Sequence, residues 1–307
     1  GAEGCCRYDS SSFLLGCTLS YNERYDLLYR ICVGAAGRIS VEKEELYLVK
    51  KSQTDAQNGT VIFKAFTNNS GSGDITVEYN NGKRGKNPEC KAIRSMSVLS
   101  QMQSRLPSDI EKYAQTIKTI QYVQTTLSNM FVLEPIPSLM RGYSRIGDSV
   151  LRRNCSNISA VLASIQENSP DDWQKFCDII ESLPENEIQG ISFVKTTIND
   201  VILIQKEQNG KSTENIDATR LSDGTLRCIA VLAAVISEPE HSLIAIEELD
   251  NGIHPSRIIK LMKSLCEIAQ KRKIDLVLTT HNVTVLNGLS KEDVLGVNLF
   301  ENPLLPE

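Results

Sequence analysis

The feature that most constrains this chain lies towards its C-terminal end. Two short, almost wholly apolar runs, Ser242–Ile246 and Ile274–Thr279, alternate with stretches of helical spacing. A strand that is apolar at every position has to be covered on both faces, and helices between such strands supply the cover. The pattern predicts a parallel sheet, with an apolar, Ala-rich helix over Leu226–Ile236.

The first part of the chain obeys a different period. Phe13–Ser20, Leu27–Val33 and Arg38–Lys50 have strand character and are separated by turn residues, which predicts an antiparallel meander. Val61–Phe66 and Ile75–Tyr79 add a hairpin, and Asn81-Gly82 ends it with a turn signal. The stretch Gly82–Cys90 is polar and is expected to be mobile. From Ser95 to Met130 the spacing turns helical, with Ile110, Ala114, Ile117, Ile120 and Val123 on one stripe. Ser108 or Asp109 is the expected cap, and Glu134-Pro135-Ile136-Pro137 the expected stop. Ile158–Gln166 and Asp171–Leu183 read as helices, and Phe193–Ile198 and Val201–Gln205 as strands. The organisation expected is a β-rich lobe over 1–94, helices and return strands over 95–215, and an α/β lobe over 216–307.

Composition excludes several classes. No apolar run approaches the ~20 residues of a membrane span. Nine cysteines, odd in number and without a CxxC pair, read as reduced thiols of a cytoplasmic protein. A net charge of −5 is not the footprint of a dedicated nucleic-acid binder, although contact with DNA by an assembled oligomer stays open. No HExxH, no G-x-S-x-G and no spaced zinc ligands are present.

Three motifs carry chemistry. Leu221-Ser222-Asp223-Gly224-Thr225 precedes the Ala-rich helix. Ser222 or Asp223 can cap that helix, Gly224 lets the backbone approach a ligand closely, and the exposed N–H groups form an anion site. Leu243-Ile244-Ala245-Ile246-Glu247-Glu248 delivers two acids to the C-terminal end of a strand, the edge where open α/β sheets bind ligands. One acid can hold Mg²⁺ and the next can orient or deprotonate a water. Leu276-Val277-Leu278-Thr279-Thr280-His281-Asn282 ends a second strand on one of three histidines. Each motif alone has a plainer reading: a helix cap, a pair of solvated loop acids, a structural histidine. Their order and spacing favour a joint one. Glu248 follows Ser222 by 26 residues and His281 follows Glu248 by 33, each the length of one helix plus one strand.

In this order LSDGT, LIAIEELDNGIHP and LVLTTHN resemble the signature, the Walker B segment with its loop, and the switch histidine of RecF/SMC-like ABC-type ATPases. The bacterial AAA15 and OLD-like predicted ATPases are the subgroup most similar, and Arg152–Leu162 also resembles that group. The resemblance implies an ABC-ATPase head with an antiparallel β lobe, a helical insertion and a C-terminal parallel-sheet lobe. It implies ATP and Mg²⁺, with Ser222 and Gly224, and Asp223 between them, on the γ-phosphate of a nucleotide held by a second subunit. Glu247 takes the metal position, where Asp is usual. Glu248 is the implied catalytic carboxylate and His281 the implied switch histidine. Asp250 and Asn251 fall where a loop crosses the dimer interface, and His254 starts the helix that follows. The implied partners are ATP, a second copy of the chain, and a nuclease or other effector in DNA repair or antiphage defence.

One family element is missing. The P-loop G-x-x-x-x-G-K-[ST] does not occur. Gly210-Lys211-Ser212 has Gln205 where the first glycine belongs and reads as an Asn209-Gly210 hairpin turn. Gly85-Lys86 has Asn80 there, and Asn87 follows the lysine. In the family the P-loop precedes the first strands seen here, so the expectation is a P-loop upstream of Gly1. The rival expectation is a nucleotide-sensing or scaffold protein without turnover.

Overall fold

The alternating segments at the start of the chain do form strands. The computed structural model describes residues 6, 10–35, 37–51, 59–67, 72–106, 110–184, 187–282, 285 and 289. The chain divides into two units, Gly1–Ser128 and Asn129–Glu307. The first carries β1 (Ser12–Ser20), β2 (Tyr25–Gly34), β3 (Ser40–Lys50), β4 (Thr60–Phe66), β5 (Asp74–Tyr79) and β6 (Glu89–Ile93), followed by α1 (Val98–Arg105) and α2 (Ile110–Ser128). The six strands pair antiparallel in chain order.

The inward positions Leu27, Leu46, Phe63, Ile75 and Val77 are fully buried, in one core with Val98, Met102, Ile120 and Val123. Both helices therefore belong with the sheet, and the unit boundary falls after α2 and not at the composition shift near residue 94. Glu44 is also fully buried. Its carboxylate accepts hydrogen bonds from the N–H groups of Val98 (2.6 Å) and Leu99 (2.8 Å) and from the hydroxyls of Ser97 (2.9 Å) and Tyr29 (3.0 Å). It thus satisfies the open donors at the start of α1, which no side chain of its own turn caps.

One expectation is only partly met. The polar stretch Gly82–Cys90 ends in a strand: Glu89 and Cys90 begin β6, which pairs with β5 and buries only Ala92. With so little apolar alternation, pairing alone makes it a strand. The expected cap of α2, Ser108 or Asp109, lies outside the described residues.

The second unit carries β7 (Met130–Leu133), α3 (Pro137–Met140), β8 (Ser144–Arg145), α4 (Ile158–Asn168), α5 (Pro170–Glu181), β9 (Glu187–Lys195), β10 (Asp200–Asn209), β11 (Ser212–Asp217), α6 (Asp223–Ser237), β12 (Leu243–Ile246), α7 (Pro255–Arg272) and β13 (Asp275–Leu278). β12 lies between β7 and β13 and is parallel to both. A second, antiparallel sheet centres on β10, which pairs with β8, β9 and β11. Gly210-Lys211 closes the β10–β11 hairpin, one residue on from the expected Asn209-Gly210 turn, because Asn209 pairs with Ser212.

The residues of β7 were expected to end a helix running to Met130. The helix stops at Ser128 instead, ahead of the prolines, because Met130–Leu133 pairs with Leu243–Ile246. A four-residue apolar run has no period of its own, so the partner strand decides its state.

α6 is the centre of this unit. Every residue from Cys228 to Val235 is at most 1% exposed. A helix apolar on all sides has to be enclosed, and α3, α4, α5, α7 and β12 all pack on it. One face of the parallel sheet joins the same core through Leu133, Ile244 and Ile246, with Phe131, Leu276 and Leu278 beside them. The opposite face is not covered as its apolar sequence predicted. Met130 is 43% and Val277 52% exposed. Among the described residues, β13 also has no strand on its outer side.

Candidate functional site

The site is built where β12 and β13 end. After Ile246 the chain turns outward, so Glu247 and Glu248 are exposed, and Leu249 dips back into the core at 2% exposure. That reversal over three residues puts Glu248 in the left-handed region, at φ 46°. A residue with a Cβ disfavours this conformation by about 1–2 kcal/mol. The end of β13 holds it there. Thr279 accepts the Glu248 N–H on its hydroxyl (2.9 Å) and the Leu249 N–H on its carbonyl (3.1 Å).

The next residues brace the carboxylate. The Asn251 side-chain amide donates to Glu248 Oε2 (3.1 Å), and the Asn251 N–H donates to the Glu248 carbonyl (3.0 Å). Thr280 donates its hydroxyl to Asp250 (2.5 Å) and accepts the Asn282 N–H (3.0 Å), fixing the backbone on either side of His281. His281 Nε2 then lies 3.9 Å from Glu248 Oε1, both side chains open to solvent. Glu248, Asp250, Asn251 and His281 thus form one cluster, with Glu247 beside it. Thr279 and Thr280 organise the cluster and were missed. The signal for them was present, since they are the first polar residues after an apolar strand.

A cleft of about 330 Å³ opens over these strand ends, lined by Glu247 and Glu248, Arg227 of α6, and Glu134 to Pro137 after β7. Glu134 was also missed. It follows Leu133, the register partner of Ile246, as Glu247 follows Ile246. The segments Phe131-Val132-Leu133-Glu134 and Ile244-Ala245-Ile246-Glu247 are therefore equivalent strand-plus-acid endings. Among the described residues no group of three or more His, Cys, Asp or Glu side chains could hold a metal ion.

Ser222, Asp223, Gly224 and Thr225 form a neighbouring cluster. Ser222 caps α6. Its Oγ accepts the Thr225 N–H (3.2 Å) and lies 2.9 Å from the Thr225 hydroxyl. Arg141, just after α3, donates to Asp223 Oδ1 (2.7 Å) and to the Leu221 carbonyl (2.8 Å). Gly224 has a different reason from the one its sequence suggested. A Cβ there would stand 2.2 Å from the carbonyl oxygen of Gly252, so the close approach is to the chain's own loop. Gly252 in turn has φ 73°. His254 caps α7, its ring accepting the Ser256 N–H. From α7, the guanidinium of Arg257, 5% exposed, donates to the Pro184 carbonyl (2.9 Å) and to the Thr225 hydroxyl (3.0 Å). Burial pushes the neighbouring Cys228 thiol up to about 12, and the Arg257 charge opposes the shift.

The sequence of one protein family aligns with residues 118–287, more than half of the chain, and the stretch includes every residue of both clusters. That family is described as "AAA domain, putative AbiEii toxin, Type IV TA system". The chain belongs to this AAA domain family. No curated protein matches this AAA domain in sequence.

Solved structures similar to it are heads of SMC ATPases. One comes from work on ATP-driven dimerisation and DNA-stimulated activation of SMC ATPases; it is 10% identical, covers 46% of this chain and 84% of that one, and has a TM-score of 0.33. A second is an Smc head bound to the C-terminal winged-helix domain of ScpA, 8% identical over 76% of this chain and 71% of that one, TM-score 0.36. A third is an Smc head with an extended coiled coil bound to the C-terminal domain of ScpA, from Pyrococcus furiosus, 11% identical over 86% of this chain and 67% of that one, TM-score 0.35. Overlaps this low assign no residue roles, so roles rest on the geometry above. No helix among the described residues is long and apolar enough to cross a membrane.

Proposed function

We propose that this AAA domain is the ATP-hydrolysing head of an ABC-type ATPase that closes on ATP as a dimer. The observation that carries the reading is Glu248, held in a left-handed conformation at the end of a parallel strand with His281 3.9 Å away. Strain of this kind is kept where it positions a reacting group.

The donors present suit part of the chemistry. Glu247 and Glu248 offer hard oxygen ligands, and a single carboxylate with phosphate oxygens and water is a usual set for Mg²⁺. Glu247 is the residue to hold it, and the ion, when bound, neutralises charge on the phosphoryl oxygens. The residues do not fit the β- and γ-phosphates in the same way, because no G-x-x-x-x-G-K-[ST] cradle is in the sequence. In this reading the cradle comes from outside these 307 residues. Among the described residues β13 has an open side, where a further parallel strand can add.

Each remaining step belongs to a residue of this chain. Glu248 orients and deprotonates the attacking water. His281 donates a hydrogen bond to the transferred group. Ser222, Gly224 and the N–H groups of the first turn of α6 contact the nucleotide of the opposite subunit, and Asp250 and Asn251 lie at that interface. Opening after hydrolysis acts on a nuclease or other effector in the cytoplasm, in DNA repair or antiphage defence, as in the AAA15 and OLD-like group that the motifs resemble. The missing cradle also favours a second reading, a nucleotide-sensing scaffold.

Glu248→Gln in the full-length protein separates the two. An amide keeps the shape and cannot take a proton. The head reading expects nucleotide binding retained, turnover lost and the dimer trapped by ATP. Undiminished hydrolysis in that variant removes Glu248 from the catalytic role, and a wild type without turnover supports the scaffold.

A further inference from the structure

Arg257 is hard to explain as a stabilising residue. The residue is only 5% exposed, no carboxylate pairs with it among the described residues, and its Nη2 is buried without a hydrogen-bond partner. It also stands at the N-terminal, positive end of α6, where a cation is disfavoured. Burying a charge without an ionic partner costs stability that hydrogen bonds to neutral groups only partly offset. Its Nε donates to the Pro184 carbonyl and its Nη1 to the Thr225 hydroxyl, and Thr225 touches Ser222.

The donor capacities along this line decide what it can do. Arginine only donates, so it occupies one lone pair of Thr225 Oγ1. The Thr225 and Ser222 oxygens are 2.9 Å apart, so one of the two hydroxyls donates to the other. If Ser222 donates inward, its proton is turned away from solvent. If Thr225 donates outward, Ser222 Oγ receives both the N–H and the O–H of Thr225. Both its lone pairs are then filled, and its own O–H is left to point out from an exposed position. In that state Ser222 can only donate, which matches an anionic oxygen and nothing cationic. The fixed charge behind Thr225 polarises the line in this outward sense.

We infer that Arg257 and Thr225 are positioning residues that set the Ser222 hydroxyl to donate outward to a phosphate oxygen. The inference rests on the ATPase reading above, in which Ser222 meets the nucleotide of the opposite subunit. It adds a relay from α7, the helix that follows the acidic loop, to the serine that caps α6. The loop and the serine serve opposite sites of a dimer, so each subunit's acidic segment bears on the other site through this line.

The test uses the full-length protein with Arg257→Met, Thr225→Val and Thr225→Ser. Turnover, KM for ATP and thermal midpoint are measured for each. The relay expects Arg257→Met and Thr225→Val to lower kcat about tenfold or more, the size of one lost charge-assisted hydrogen bond, with KM within about twofold. The Arg257→Met midpoint should not fall. Thr225→Ser, which keeps the hydroxyl, should recover most of the loss. In a Ser222→Ala background, Arg257→Met should cost no further turnover, because its effect passes through Ser222. Independent, additive losses overturn the relay, as do kcat and KM falling together with the midpoint. A hydrolysing wild type indifferent to Arg257→Met overturns this inference alone. A wild type without ATP turnover overturns the reading beneath it as well.

Discussion

Gly224→Ala and Gly252→Ala test the contact that joins the signature to the acidic loop, and the two glycines should respond unequally. At Gly224 the new Cβ would meet the Gly252 oxygen at 2.2 Å and its carbonyl carbon at 3.2 Å. Ordinary carbon–oxygen contacts are near 3.3 Å, so a gap of about 1 Å has to open between two backbones. The loop cannot simply retreat. Asn251 and Ile253 donate their N–H groups to the carbonyls of Glu248 and Asp250, and Ile253 is buried. Overpacking of this kind costs about 3 kcal/mol, the upper part of the usual range, because neither side is a flexible side chain. At Gly252 nothing lies within 4 Å of the added carbon, and only the φ of 73° resists, for about 1 kcal/mol. Urea unfolding followed by tryptophan fluorescence reads this unit directly. Trp173 is the chain's single tryptophan and stacks on Phe176 in the core around α6. With a slope of about 2 kcal/mol/M, the midpoint should drop by about 1.5 M for Gly224→Ala and about 0.5 M for Gly252→Ala. Equal shifts, or the reverse order, would refute the contact.

Three more outcomes follow from the same unit. Burial holds the Cys155 and Cys228 thiols near pKa 12 against an ordinary 9.0, so unfolding releases protons above pH 9. Their stability contribution is complete below pH 9 and is lost as pH rises towards 12; urea midpoints flat from pH 9 to 10 would contradict that. Thr279→Val removes the acceptor of the Glu248 N–H and should cost about 1–2 kcal/mol with turnover down at least about tenfold, whereas unchanged kinetics would clear Thr279 of any part in holding Glu248. Glu248→Gly relieves the left-handed strain and should raise stability by roughly 1 kcal/mol, about 0.5 M in the urea midpoint, while turnover disappears; a lower midpoint argues that the strain is absent.

Legibility varied with how local the determining interaction is. The helix over Leu226–Ile236 and the runs ending at Glu247 and Thr279 could be read because their apolar content states their surroundings. The cap at Ser222 was equally local. β7 could not be read, since its four residues become a strand only by pairing with β12. The roles of Thr279 and Thr280 depend on the register that aligns Ile246 with Leu278 and are invisible until the two strands are side by side. Arg141 and Arg257 look like ordinary cations in the sequence. Their partners are 82 and 32 residues away, at Asp223 and Thr225. Gly224 was singled out for the right property and the wrong neighbour, because a glycine states that something comes close and not what.

Among the described residues the outer side of β13 is bare, and this has a practical consequence. A row of unpaired N–H and C=O groups is a template for another strand, and proteins usually guard such rows with charge, proline or a bulge. Here Asp275 is the only charge, at the first position, and Leu276, Val277 and Leu278 follow it. Where that edge is left open, the protein should stick to itself as concentration rises, edge against edge, whether or not nucleotide is present. A lysine at the exposed Val277 would act as a gatekeeper and keep preparations dispersed at little cost to the fold.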